Sequence, residues 1–219
     1  MDYLEIETKY SVPNLKLSEF DNFMQKFKAK KVLEVAGYDT YYVHPTLEDR
    51  FIRDRTNQSE RFITVKVKQH EKHNRIRTEI DIKKTSSVES LKTFFTESKI
   101  ESNYIFGNES LYKSFSINLD EVLRLALNKG YTENFKIYKH CKIYWLEKVV
   151  IVWYKVFNKD IEEMEIFVEI EADPDYLWKT EEEAWQAITE MEKQCSGLKI
   201  SSQMRKNKSL FELYRKNIV

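Results

Sequence analysis

The chain has 219 residues, with 36 lysines and arginines against 36 aspartates and glutamates, so no net field of either sign advertises a nucleic acid or a basic partner. Charged residues make up 33%, hydrophobic ones 42% and aromatic ones 14%, which excludes a disordered chain and fits one folded domain over residues 1–219. Cys141 and Cys195 have no metal-type spacing, MDYLEIETKY lacks a leader pattern, and no run is long enough to span a bilayer, so a reduced, cytoplasmic protein without membrane contact is expected.

The first element is EIETKY, residues 5–10, a strand with Glu5, Glu7 and Lys9 on one face and Ile6, Thr8 and Tyr10 on the other. Ser18, with Asp21 three residues on, opens a helix carrying Phe20, Phe23, Met24 and Phe27. Strands follow at about 36–43, 50–56, 61–69 and 74–83. In them Arg53 and Arg55 share a face, as do Thr64, Lys66 and Lys68, and as do Arg75, Arg77, Glu79 and Asp81. His70 and His73 in QHEKHN read as a solvated hairpin turn rather than a metal site.

Ser86 with Glu89, and Asn118 with Glu121, open two more helices, the second stopped by Gly130. Strands at 134–144, 148–157 and 162–173 come next, and the last aligns Glu163, Glu165, Glu169, Glu171 and Asp173, broken only by Phe167. Thr180 with Glu183 starts a helix ending near Gly197, and Ser209 with Glu212 starts a short final one. Trp145, Trp153, Trp178 and Trp185 read as core, although a tryptophan at a cavity mouth would stack a nucleobase.

Strands with interspersed helices give an α+β protein on one large antiparallel sheet or closed barrel. A sheet with its charged face in water would satisfy each strand singly. Two features favour charged faces curled into a lumen: some strands are all-basic and others nearly all-acidic, and there are enough amphipathic helices to wrap the apolar side. Desolvated ions each lose several kcal/mol unless paired or hydrated. Such a lumen marks a ligand, with acids for Mg²⁺ or Mn²⁺ and bases for phosphate.

EIETK is similar to the ExExK signature of the CYTH superfamily, the triphosphate tunnel metalloenzymes. YDTYY, IRDR, ITVK, RTEID, FVEIE and KSLFEL resemble the superfamily's later motifs in the same order. The resemblance implies an eight-stranded antiparallel closed β-barrel, a tunnel, with helices packed outside, and Mg²⁺ or Mn²⁺ as cofactor. It implies Glu5, Glu7, Glu169 and Glu171 as catalytic and metal-binding, Glu79 and Asp81 as further metal carboxylates, and Lys9, Arg53, Arg55, Lys66, Arg77 and Lys139 as substrate contacts. Two positions depart from the pattern: Cys141 stands where an arginine is expected, and Trp153 or Tyr154 where an inward aspartate is common.

The activity implied is metal-dependent hydrolysis of a triphosphate: inorganic, nucleoside or thiamine triphosphate. The alternatives are a class IV-type adenylyl cyclase, which YYVHP resembles locally, and a tunnel that binds a nucleotide or polyphosphate without turnover. The partner expected is a triphosphate-containing small molecule such as ATP, with an RNA 5′-triphosphate end as the one nucleic-acid possibility. Either a monomer or a homodimer is compatible.

Overall fold

The computed structural model describes residues 4–68, 76–98, 100–106, 117–198, 200 and 202–215; Arg75 and the expected turn with His70 and His73 lie outside them. Strand β1 (Leu4–Ser11) is followed by α1 (Leu17–Met24), β2 (Lys31–His44), β3 (Leu47–Asn57), β4 (Arg61–Lys68) and β5 (Ile76–Ile82). Then come α2 (Val88–Glu97), α3 (Asn103–Phe106), α4 (Leu119–Asn128), β6 (Thr132–Trp145), β7 (Val149–Phe157) and β8 (Glu163–Ala172). The chain ends with α5 (Glu181–Gln194), the two-residue β9 (Arg205–Lys206) and α6 (Leu210–Tyr214).

The strands run β5-β4-β3-β2-β6-β7-β8-β1, and β1 pairs back onto β5, so eight antiparallel strands close into a barrel with helices outside. The closing contact is short, Leu4–Ile6 against Ile76–Thr78, and β9 takes over the same edge of β1 at Lys9 and Tyr10. A closed barrel has no open edge to pair with another chain, and β9 seals the place where β5 leaves. Among the described residues no helix is long and apolar enough to cross a membrane.

Most helix starts follow local chemistry visible in the chain. Thr180 accepts from the Glu183 N–H at 3.1 Å, and Ser209 and Glu212 cap each other reciprocally. Asn118 caps α4, and Gly130, at φ +103°, ends it. Two starts are shifted. At α1 the Lys16 N–H donates to Glu19 Oε2 at 3.1 Å, which leaves Ser18 inside the helix. At α2 the cap is Ser87, because Ser86 Oγ is occupied by the Lys83 N–H at 2.9 Å.

The apolar faces of β1, β7 and β8 pack under α1 and α5, joining Ile6, Tyr10, Ile151, Trp153 and Ile170 to Phe20, Met24 and Ile188. Trp153 points outward here, its Nε1 donating to the Leu15 carbonyl at 3.0 Å. Ile52, Ile63, Val65 and Ile82 pack under α2 and α4 in the same way. A third cluster sits inside the barrel at one end: Tyr41, Phe51, Phe135, Tyr154 and Phe167 with Leu210 and Phe211 of α6. The Phe211 ring stacks on Phe51 at 4.5 Å between centroids. This end is therefore filled, and the lumen is a cup whose floor is aromatic.

Gly37 marks a close approach of β2 to β3. A Cβ there would meet the Thr56 carbonyl oxygen at 2.3 Å and Asn57 Cα at 2.8 Å, both backbone atoms. Gly37→Ala is expected to destabilise the fold by about 1–3 kcal/mol, read as a lower urea midpoint at unchanged slope.

Candidate active site in the barrel lumen

Alternation along each strand decides what enters the lumen. Register places Glu7 opposite Glu171, Lys9 opposite Glu169, Lys66 opposite Glu79, Arg53 opposite Thr64 and Asp39 opposite Arg55. Every site residue expected from the sequence lines one cavity of about 450 Å³: Glu5, Glu7, Lys9, Arg53, Arg55, Lys66, Arg77, Glu79, Asp81, Lys139, Glu169 and Glu171. Of the expected acidic face only Glu169 and Glu171 line the cavity: Glu165 accepts from Ser11 and Tyr214, Asp173 accepts from the Asp175 N–H, and Glu163 changes face. The register shifts between Val156 and Phe157, and Glu163 lies outside, 2.7 Å from Lys155.

The charges are organised as clusters. Lys66 Nζ lies 2.6 Å from Glu5 Oε1 and 2.5 Å from Glu79 Oε2, bridging two carboxylates. Lys9 pairs with Glu169 at 2.7 Å and reaches Glu7 at 3.4 Å, while the Tyr154 hydroxyl donates to Glu169 at 2.8 Å. Arg53 donates from Nη2 to Thr64 at 3.0 Å, and its buried Nε has no hydrogen-bond partner among the described residues. Thr64 in turn donates to Asp81 at 2.6 Å. Arg77 is tied to Glu212 of α6 at 3.0 Å.

Asp39 was not foreseen as a site residue. It is 1% exposed, and the Arg55 Nε and Nη2 both donate to it at 2.6 Å, with Lys139 Nζ at 4.0 Å. Arg55 is thus held by the protein itself in a two-pronged grip. Burial alone would raise Asp39, but Arg55, Lys139 and Arg53 outweigh it and hold the carboxyl below its usual range. The signal in the sequence was YDTYY, where one acid alternates with aromatics and has no charged neighbour at two-residue spacing.

Tyr154 resolves one departure from the superfamily pattern: it, and not Trp153, points inward, and a phenol bound to Glu169 stands where an acid is common. Cys141 also lines the lumen, with its thiol pushed up by burial. Lys142 and His140 instead reach Glu34 at 2.9 and 2.8 Å, and both are absent from the cavity wall. His44 of YYVHP hydrogen-bonds Thr46 and the Lys129 carbonyl, and it too is absent from that wall.

Protonation divides the acids. Burial, then the nearby Glu79 and Glu7, push Glu5 up from 4.5 to about 7 against the pull of Lys66. Burial together with Glu5, Glu7 and Glu79 pushes Glu171 well above the carboxylate range. Burial would raise Glu7 as well, but Lys9, Lys66 and Arg77 overcome it and hold it at about 2. Glu171 forms no ion pair among the described residues.

These shifts have opposite signs in stability. Glu5, raised in the folded state, makes folding less favourable as pH climbs through the window from 4.5 to about 7, and Glu171 acts in the same sense. Glu7, lowered to about 2, contributes stability that is present above 4.5 and lost as pH falls toward 2. The chelator-treated protein is therefore expected to be most stable near about pH 5 and to lose on the order of 1–3 kcal/mol by about pH 8, followed by urea denaturation across that range.

The donor set is hard oxygen, and the excess negative charge around Glu5, Glu7 and Glu171 is what a divalent cation relieves. No three potential ligands among the described residues converge as a preformed metal cluster. Lys66 Nζ fills the space between Glu5 and Glu79.

The CYTH domain model matches residues 3–196. The chain belongs to the CYTH family. A conserved hypothetical protein from Pyrococcus furiosus has a similar CYTH-like fold, with TM-score 0.63 and 18% identity over 95% of this chain and 99% of that one. A Vibrio parahaemolyticus protein described provisionally as an adenylate cyclase gives TM-score 0.62 and 16% identity, covering 97% and 98% of the two chains. A chain of the Schizosaccharomyces pombe Mediator head module gives TM-score 0.53 at 9% identity, covering 89% and 95%. Comparison with curated proteins gave no match. At these identities the CYTH fold is what is shared, and the reaction must be argued from the lumen.

Proposed function

We propose that this CYTH protein is a divalent-metal-dependent hydrolase of a triphosphate held in the barrel lumen. The observation that carries the proposal is the charge balance of the wall: eight acidic and eight basic residues line the cavity among those described. Two of the basic residues, Lys9 and Lys66, are already engaged by Glu169, Glu5 and Glu79. A divalent ion arriving with the substrate would compete with those lysines for the carboxylates. Glu5, Glu7 and Glu171 would hold Mg²⁺ or Mn²⁺, with Glu79, Asp81 and Glu169 as nearby acids. The ion's chemistry is Lewis-acid withdrawal of charge from phosphate oxygens.

The protein's own groups supply the remainder. Neutralising Glu5 would free Lys66 for phosphate oxygens, and Lys9, Arg53, with its unpartnered Nε, and Arg77 face the same space. These cations stabilise equatorial charge as the terminal phosphoryl group transfers. Glu169, oriented by Lys9 and the Tyr154 hydroxyl, is our candidate base. It would accept a proton from water as the water oxygen bonds to the terminal phosphorus, with the bridging P–O bond breaking to release the shortened phosphate. Arg55 and Lys139, held around Asp39, keep the deeper wall positive.

The test is phosphate release from inorganic triphosphate, ATP and thiamine triphosphate with Mg²⁺ or Mn²⁺. Release that stops on chelation is expected. A folded, metal-loaded sample that releases none from any of them overturns the proposal. Cyclic AMP with pyrophosphate from ATP would assign a cyclase instead, and tight calorimetric binding without turnover a non-catalytic binder.

A further inference from the structure

The lumen wall is chemically split, and from that split we infer that the ligand is a triphosphate ester of an apolar aryl or alkyl group rather than inorganic triphosphate. This rests on the proposed triphosphate site and extends it toward the mouth. There β2, β6 and β7 turn Leu33, Val35, Ile143, Trp145, Val150 and Val152 into the cavity. The register runs Leu33, Ile143, Val152, Glu169 across one row and Trp145, Val150, Glu171 across the next. The apolar patch therefore abuts the two C-terminal acids with nothing polar between them.

Strands lie about 4.8 Å apart and rise about 3.3 Å per residue, so the patch measures roughly 10 by 7 Å, the footprint of a ring or a short alkyl chain. It is not closed off from water: Leu33 is 40% exposed, and Ile143 and Val152 are only partly buried. Phosphate oxygens find few donors there. The patch's indole N–H and the neighbouring Cys141 thiol are its polar handles, and Lys31 Nζ lies 4.6 Å above the Trp145 ring. A nucleobase would leave most of its hydrogen-bonding edge unmatched on such a wall. An apolar group extending from the phosphates toward the mouth would cover it.

The experiment is calorimetric titration of the Mg²⁺-loaded protein with methyl, hexyl and phenyl triphosphate, whose charges match, and with inorganic triphosphate. Hexyl and phenyl triphosphate are expected to bind about tenfold or more tighter than the methyl ester, as burial of a few methylenes gives. In Val152→Thr and Leu33→Ser the hexyl-to-methyl ratio should fall several-fold; the Leu33 position is exposed enough for the exchange to spare folding. Equal binding of methyl and hexyl esters, or an unchanged ratio in both variants, overturns the inference and leaves the triphosphate site standing. If no triphosphate binds at all, the proposed function falls and the inference falls with it.

Discussion

Asp39→Ala is expected to lower stability by about 3–5 kcal/mol, more than any other single exchange in the lumen, because breaking a buried ion pair from one side strands the other charge. Asp39 is almost wholly buried and takes two hydrogen bonds at 2.6 Å from Arg55, with Lys139 close behind at 4.0 Å. Its loss leaves two cations facing each other without an anion. Urea denaturation measures the effect, and the double variant with Arg55→Leu should recover much of it, since the stranded guanidinium is then gone. Additive losses in that cycle would show that the pair is not coupled as the geometry requires.

The second large effect is on turnover. Glu171→Gln is expected to reduce metal-dependent phosphate release by about 100-fold or more, the scale of losing a group that organises transition-state charge. Its stability effect should have the opposite sign. Burial with Glu5, Glu7 and Glu79 disfavours the Glu171 carboxylate, so a neutral amide leaves the metal-free fold at pH 8 as stable or more stable. Manganese titration and denaturation on the same sample separate the two. A variant that is clearly destabilised yet binds manganese normally would make Glu171 structural and remove it from the site.

Much of this site was legible because a strand's two-residue period is rigid. Once Glu5, Glu7 and Lys9 share a face, the side of the sheet they occupy is a single binary choice, and the same choice fixes Arg53, Lys66, Arg77, Glu79 and Glu169. What escaped the reading depends on contacts remote in sequence or on irregular backbone. Asp39 is defined by Arg55 on the neighbouring strand, and Glu163 by a register shift that no side chain announces. The shifted helix starts arise from competition for caps, as when the acid of Glu19 reaches the Lys16 N–H. Phe167 interrupted the acidic run on β8, and that interruption is the inward edge of the aromatic cluster filling the barrel's end.

The aromatic floor also sets a rule of traffic. Among the described residues Phe51, Phe135 and Phe211 pack across that end of the barrel, so a guest would have to retreat by the way it came before the next molecule is admitted. On the function proposed above, product departure would compete with substrate entry for a single doorway.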